Sequence, residues 1–301
     1  MFGFKRKTKL LIHAGTPKTG TTTFQQSMFA HRDRLLKEGI LYPDLDIAPG
    51  MMKKHQWLVQ HLLEEDRASF RSKFDELSDM SVKSRATLVV LSTEGIFNHW
   101  SNYSAIARGM LSDLANLFDV SVWCVFREPL AFALSRYGQV VKNPPTKYTP
   151  ENGTSLSMED IIQYPSFRKR LDYANFIYGI ESLFGKESIV VTQYESADIL
   201  VQARSILGVS DTTLPDVPRM NESLSPLGVD LVRRMNSVQL PEAREELLAK
   251  IAYIDKLLGS TSYPQTVSAE FRRQIKALSA PSEKLLAERF GIRWTSNSTG
   301  D

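Results

Sequence analysis

The chain has 301 residues, 42% hydrophobic and 24% charged, with a formal net charge of +3. That is ample material for a buried core, and so small a charge gives no argument for nucleic acid as a partner. The single cysteine, Cys124, excludes an internal disulfide and sits in an apolar run that reads as core.

The first predicted element is a short buried strand at Leu10, Leu11 and Ile12, ended by Gly15. Gly15 to Gly20 forms a tight loop with glycine at both ends, and Thr21, Thr22 and Thr23 open a helix whose apolar side carries Phe24 and Met28. A strand, a glycine-bounded loop and a helix N-terminus together make an anion site. The loop N–H groups point inward and the helix dipole favours negative charge. Lys18 adds a full positive charge. A Walker A loop places its lysine directly after the second glycine. Here Thr21 stands at that position and the lysine lies inside the loop, in the order Pro17-Lys18-Thr19-Gly20-Thr21-Thr22. The plainer alternative is a glycine turn with a surface lysine.

The helix from Thr21 is expected to run to about Lys37 and stop at Gly39. Ile40 to Tyr42, before Pro43, reads as a short strand, and Asp44 to Met52 as loop. Trp57, Leu58, His61, Leu62, Phe70, Phe74 and Leu77 have helical spacing. His55 follows the loop and is a candidate active-site histidine, with a packing role as the alternative. Ala86 to Leu91 is a second buried strand, followed by Ser92-Thr93-Glu94-Gly95. A carboxylate just past such a strand occupies the place where open α/β sheets bind ligands. A cap on the next turn is the alternative role for Glu94. Tyr103 to Phe118 is a further predicted helix.

Val120 to Phe126 is the third buried strand, with Arg127 directly after it and Glu128-Pro129 starting a helix. Ser135 lies eight residues beyond Arg127, about 10 Å along that helix. An arginine at a strand end and a hydroxyl on the next helix could grip one phosphate. Asn143 to Leu156 reads as a long loop, Leu171 to Gly185 as a helix and Glu187 to Thr192 as a strand. Tyr194-Glu195 come next, then a helix to Gly208, and from Pro226 onward the pattern is helical. No apolar segment approaches the roughly 20 residues that span a bilayer, and Leu10 to Ile12 is too short for a signal-peptide core. The expectation is a soluble, cytoplasmic protein. Strands alternating with helices predict an α/β architecture, a mostly parallel sheet with helices on both faces and a helical C-terminal part.

The order PKTGTT followed shortly by glutamine resembles the 5′-phosphosulfate loop of the PAPS-dependent sulfotransferases, particularly their bacterial branch. Arg127 with Ser135 resembles the 3′-phosphate motif of that family, and Arg219 to Ser225 its R-x-N-x-S-L-S element. The resemblance runs from about residue 9 to about residue 290. It implies one sulfotransferase-like domain over 1–301, with a core at about 9–210, a helical part at about 211–290 and a sheet of about five strands. It also implies transfer of a sulfuryl group from 3′-phosphoadenosine 5′-phosphosulfate (PAPS) to an acceptor hydroxyl or amine, glycans included. Under it Pro17, Lys18, Thr19, Gly20, Thr21 and Thr22 bind the donor, with Lys18 stabilising the leaving oxygen. Arg127 and Ser135 hold the 3′-phosphate. Glu94 is the first candidate base, His55 the second and His99 a distant third, and no metal is required.

The chain lacks the RKGxxGDWKNxFT-like element of the animal cytosolic enzymes, and carries Glu94 where they place a histidine. Carbohydrate sulfotransferases related to the heparan-modifying enzymes use glutamate. Two readings from other classes stay open. A P-loop kinase using ATP needs a Walker lysine and a magnesium-binding carboxylate. A non-catalytic nucleotide-binding protein keeps the loop and lacks a base.

Overall fold

The computed structural model describes residues 7–47, 53–194, 198–217, 224–238, 243–258 and 267–294. These divide into two compact units. The first takes the described residues of Met1–Arg127, Ala174–Met220 and Phe290–Ile292; the second takes those of Glu128–Tyr173, Asn221–Arg289 and Arg293–Asp301.

Among the described residues, five strands lie in the first unit: β1 (Lys9–Gly15), β2 (Ile40–Leu41), β3 (Leu88–Ser92), β4 (Asp119–Phe126) and β5 (Ile189–Gln193). They form one all-parallel sheet in the order β2-β3-β1-β4-β5. The helices are α1 (Thr21–Ala30), α2 (Arg32–Lys37), α3 (Gln56–Glu64), α4 (Arg67–Lys83), α5 (Gly95–Asn98), α6 (Ala105–Ser112) and α7 (Pro129–Lys142). After these come α8 (Pro165–Lys169), α9 (Tyr173–Phe184), α10 (Ile199–Leu207), α11 (Pro226–Ser237), α12 (Arg244–Leu258) and α13 (Ala269–Phe290).

β1 is the central strand, and from Leu10 to Gly15 every residue is buried. A parallel strand covered on both faces reads as a continuous apolar run, which is why this one is legible as LLI in sequence. Successive side chains point to opposite faces. Leu11, Val90, Trp123 and Val125 share one buried cluster with Phe24 and Met28 of α1 and Ile199, Leu200 and Ala203 of α10. Phe126 instead meets Phe97 of α5, which also packs on Phe176 of α9.

Three expected helices are divided. The one begun at Thr21 breaks at His31, whose φ of −109° leaves the helical region, and the chain turns at Gly39 with φ +78°. The pattern from Trp57 to Leu77 is two helices, because Glu65 adopts φ +57° and Asp66 starts α4 by accepting from the Ser69 N–H. The stretch from Tyr103 to Phe118 is α6, capped by Ser104, followed by a 3₁₀ turn at Asp113–Asn116. Apolar spacing persists across such breaks, so spacing alone does not show them.

The second unit contains α7, α8 and α11 to α13. Its 143–156 stretch has no regular element beyond an isolated bridge between Thr146 and Thr149. It is nevertheless tied down. Buried Glu151 accepts from Arg136 Nη2 at 3.3 Å and Arg170 Nη1 at 2.6 Å, and Asn236 Nδ2 donates to the carbonyls of Val141 and Thr154. Removing a carboxylate from between two buried guanidiniums costs about 3–5 kcal/mol. Ser225 caps α11 and binds the Asp255 carboxylate through both its N–H and its hydroxyl. Arg219, Asn221 and Ser223 of the R-x-N-x-S-L-S element, and Glu195, lie outside the described residues.

Two helical glycines in the first unit should respond oppositely to a methyl group. A Cβ at Gly109 meets nothing within 4 Å, so Gly109→Ala should raise stability by about 0.5–1 kcal/mol. At Gly179 it would lie 2.2 Å from Trp100 Cζ2, so Gly179→Ala should lower stability by about 1–3 kcal/mol. Urea unfolding of the two variants checks the sign of each.

Candidate active site

The glycine-bounded loop leaves β1 at Gly15, with φ +100°, and enters α1 at Gly20, with φ +82°. Both positions are also tight. A Cβ at Gly15 would lie 3.0 Å from Glu94 Cβ, and one at Gly20 would lie 2.9 Å from Ile199 Cγ2. Between them the loop braces itself. The Thr16 N–H and hydroxyl both donate to the Val125 carbonyl, and the Thr19 hydroxyl donates to the Thr16 carbonyl at 2.6 Å. Pro17, Thr19 and Thr21 are buried, whereas Lys18, Gly20 and Thr22 keep partial exposure. Lys18 adopts φ +68°.

α1 opens without a side-chain cap, as α2, α3, α5 and α8 also do. α4, α6, α7, α10 and α11 each open on a side-chain oxygen that accepts a first-turn N–H. Gly20 offers no such oxygen, and the first turn of α1 holds no acid. Its N–H groups and the positive dipole end therefore suit an external anion.

Glu94 comes just after β3 and packs against the first glycine of the loop. Its carboxylate accepts from Gln25 Nε2 at 3.1 Å on Oε2 and from Lys54 Nζ at 3.3 Å on Oε1. It makes no capping bond to α5. Burial opposes its charged form, but the Lys54 ammonium, the residue's own backbone N–H and the Gln25 amide outweigh that and hold the carboxyl below its usual range. Glu94 is thus a carboxylate at neutral pH, with its side chain still 20% exposed.

His55 is placed differently. It is fully buried; its Nδ1 accepts the Ser92 backbone N–H at 2.9 Å, and its Nε2–H donates to the Pro43 carbonyl at 2.9 Å. Both nitrogens are engaged, and burial pushes its pKa down to about 4. The ring fastens the segment before α3 to β3. His99 ends α5, its backbone N–H bonded to the Gly95 and Phe97 carbonyls.

Sequence reasoning missed His13, Gln25, Lys54 and Ser92 as parts of one cluster. His13 Nδ1 lies 2.8 Å from Ser92 Oγ, and the ring sits against Phe24 and Trp123. Burial pushes its pKa down to about 4, against the pull of the Glu94 charge. Gln25 Nε2 also donates to Ser92 Oγ at 3.1 Å. Only tertiary pairing of β1 with β3 brings these positions together, His13 opposite Ser92.

Arg127 directly succeeds β4, and its guanidinium lies 5.2 Å over the Tyr194 ring. The loop, Glu94 and Arg127 thus stand at the C-terminal ends of three neighbouring strands, β1, β3 and β4, where open parallel sheets bind ligands. Ser135 lies on α7, in the second unit. Among the described residues no group of three or more His, Cys, Asp or Glu side chains is placed to hold a metal ion, and no helix is long and apolar enough to cross a membrane.

No protein-family model matches the chain, and no curated protein matches it significantly. Among solved structures it is similar to the crystal structure of a sulfotransferase from Alicyclobacillus acidocaldarius, at 17% identity over 95% of this chain and 96% of that one, with a TM-score of 0.46.

The two buried histidines set a pH dependence of stability. Their folded pKa values near 4 lie below the ordinary 6.5, so between those pH values the unfolded chain binds more protons. Stability is therefore complete above about pH 6.5 and is lost as pH falls toward 4, and the depressed Glu94 carboxyl acts in the same direction at lower pH. Urea midpoints should fall across that window. In His55→Gln the midpoint should start lower at pH 7 but decline less on acidification.

Proposed function

We propose that the chain is a sulfotransferase moving the sulfuryl group from PAPS to an acceptor hydroxyl or amine, glycan acceptors included. The observation that carries this reading is the loop itself: a lysine held inside a glycine-bounded turn, at an uncapped helix N-terminus, with an ionised glutamate packed on its first glycine. The donor supplies an activated sulfuryl group, whose bond to the bridging phosphate oxygen breaks as a bond to the acceptor oxygen or nitrogen forms.

Each residue then has a task. Gly20, Thr21, Thr22 and the α1 amides would hold the 5′-phosphate, while Pro17 and the internally bonded Thr19 shape the turn. Lys18 would stabilise the charge developing on the leaving oxygen, an effect of the oxyanion-hole kind. Arg127, directly after β4, would take the 3′-phosphate. Glu94 would accept the acceptor's proton. His55 has no nitrogen left for that task, and Glu94 has exposure, charge and proximity to the loop. Thr21 at the Walker lysine position speaks against an ATP kinase. A charged carboxylate at the loop favours an enzyme over a binding protein.

Calorimetry with 3′-phosphoadenosine 5′-phosphate (PAP), AMP and ADP tests the nucleotide. Charge-assisted hydrogen bonds contribute about 1.5–3 kcal/mol each, so PAP should bind more than about tenfold tighter, and Arg127→Ala should remove most of that preference. Equal affinities would sink the assignment; tighter binding of ATP–Mg²⁺ would favour the kinase.

Radiolabelled donor with a cell-derived acceptor extract tests the chemistry. Lys18→Ala should lower kcat by about 10²–10³. Glu94→Gln should lower it by about 10²–10⁴, with PAP affinity retained. Near-wild-type turnover in Glu94→Gln would remove glutamate as the base.

A further inference from the structure

The carboxylate of Glu94 is gripped from two sides by groups outside its own strand. Gln25, on α1, holds Oε2, and Lys54, on the segment leading into α3, holds Oε1. Each grip has its own anchor. Gln25 is 2% exposed, and its Nε2 donates both to Glu94 and to Ser92 Oγ, so two acceptors fix the orientation of the amide. Lys54 precedes His55, whose ring is bonded to the backbones of Ser92 and Pro43, so the lysine's backbone is set beside the end of β3.

We propose that Gln25 and Lys54 are positioning residues that clamp the Glu94 carboxylate in one orientation beneath the phosphate loop. This rests on the reading of Glu94 as the base. A glutamate side chain has three rotatable bonds, and a base must sit within hydrogen-bond reach of the proton it takes. A misplacement of 1 Å can cost about a hundredfold in rate. One residue of the clamp rides on α1, the helix whose N-terminus forms the anion end of the loop, so donor site and base share a rigid element. The two donors also keep a half-buried carboxylate charged, and so able to accept a proton.

The test uses ¹³C NMR titration of the glutamate carboxyls in the full chain, with Glu94→Gln identifying the signal. In Lys54→Met and Gln25→Leu the Glu94 midpoint should move upward, while Lys54→Arg should leave it near the wild-type value. Turnover of labelled donor should fall about tenfold or more in the first two variants, with PAP affinity within about twofold, because the clamp acts on the base and not on nucleotide binding. An unmoved Glu94 titration in Lys54→Met, or unchanged turnover, would overturn the proposal. Lys54 is partly exposed, so its Met and Arg variants decide the matter even if the buried Gln25→Leu fails to fold. Failure of PAP to bind the wild-type chain would instead overturn the donor reading, and it leaves the titration result standing on its own.

Discussion

The close approach of Gly15 to Glu94 governs the arrangement of the first unit. β1 and β3 are paired through His13 and Ser92, and the next residues of each strand run on into the loop and the carboxylate. At that point the two backbones come so near that a side chain at Gly15 would lie 3.0 Å from Glu94 Cβ. Glycine is therefore favoured by the tight space and called for by its φ of +100°. The contact sets a charged carboxylate against the first glycine of the loop.

Around that contact the polar residues form a chain that the apolar core would otherwise forbid. His13, Ser92, Gln25, Glu94 and Lys54 are linked by successive contacts of 2.8 to 3.3 Å. Buried polar groups are costly unless bonded, and these contacts offset that cost except at His13 Nε2, which is buried without a partner. The aromatic faces of Phe24 and Trp123 exclude water from one end, while Lys54 brings charge to the other. The result is a carboxylate held ionised by Lys54 and Gln25 against its burial, beside histidines that burial keeps neutral.

The second unit shows the same logic with a different outcome. Its long irregular stretch reads in sequence only as a loop, with prolines and a glycine. Glu151 between Arg136 and Arg170, with Asn236 donating to two backbone carbonyls, anchors it to the helices around it. Those partners sit on α7, just past α8 and on α11, beyond the reach of any local pattern within the stretch.

By itself the sequence determined the strands and the loop. Leu10 to Ile12, Val89 to Leu91 and Val120 to Phe126 are apolar runs because parallel strands buried on both faces must be, and Gly15 to Gly20 with Lys18 inside is a local arrangement of backbone freedom and charge. Glu94 and Arg127 were legible for the same reason, as residues next to a strand end. Only the tertiary structure decided what those residues are bonded to. In the chain alone Glu94 leads His55 only through its place past a strand end; in the structure His55 has both nitrogens spent on Ser92 and Pro43, and Glu94 is held charged by Lys54 and Gln25. Strand order, burial and hydrogen-bond partners depend on contacts between residues tens of positions apart, and no local pattern of residue types encodes them.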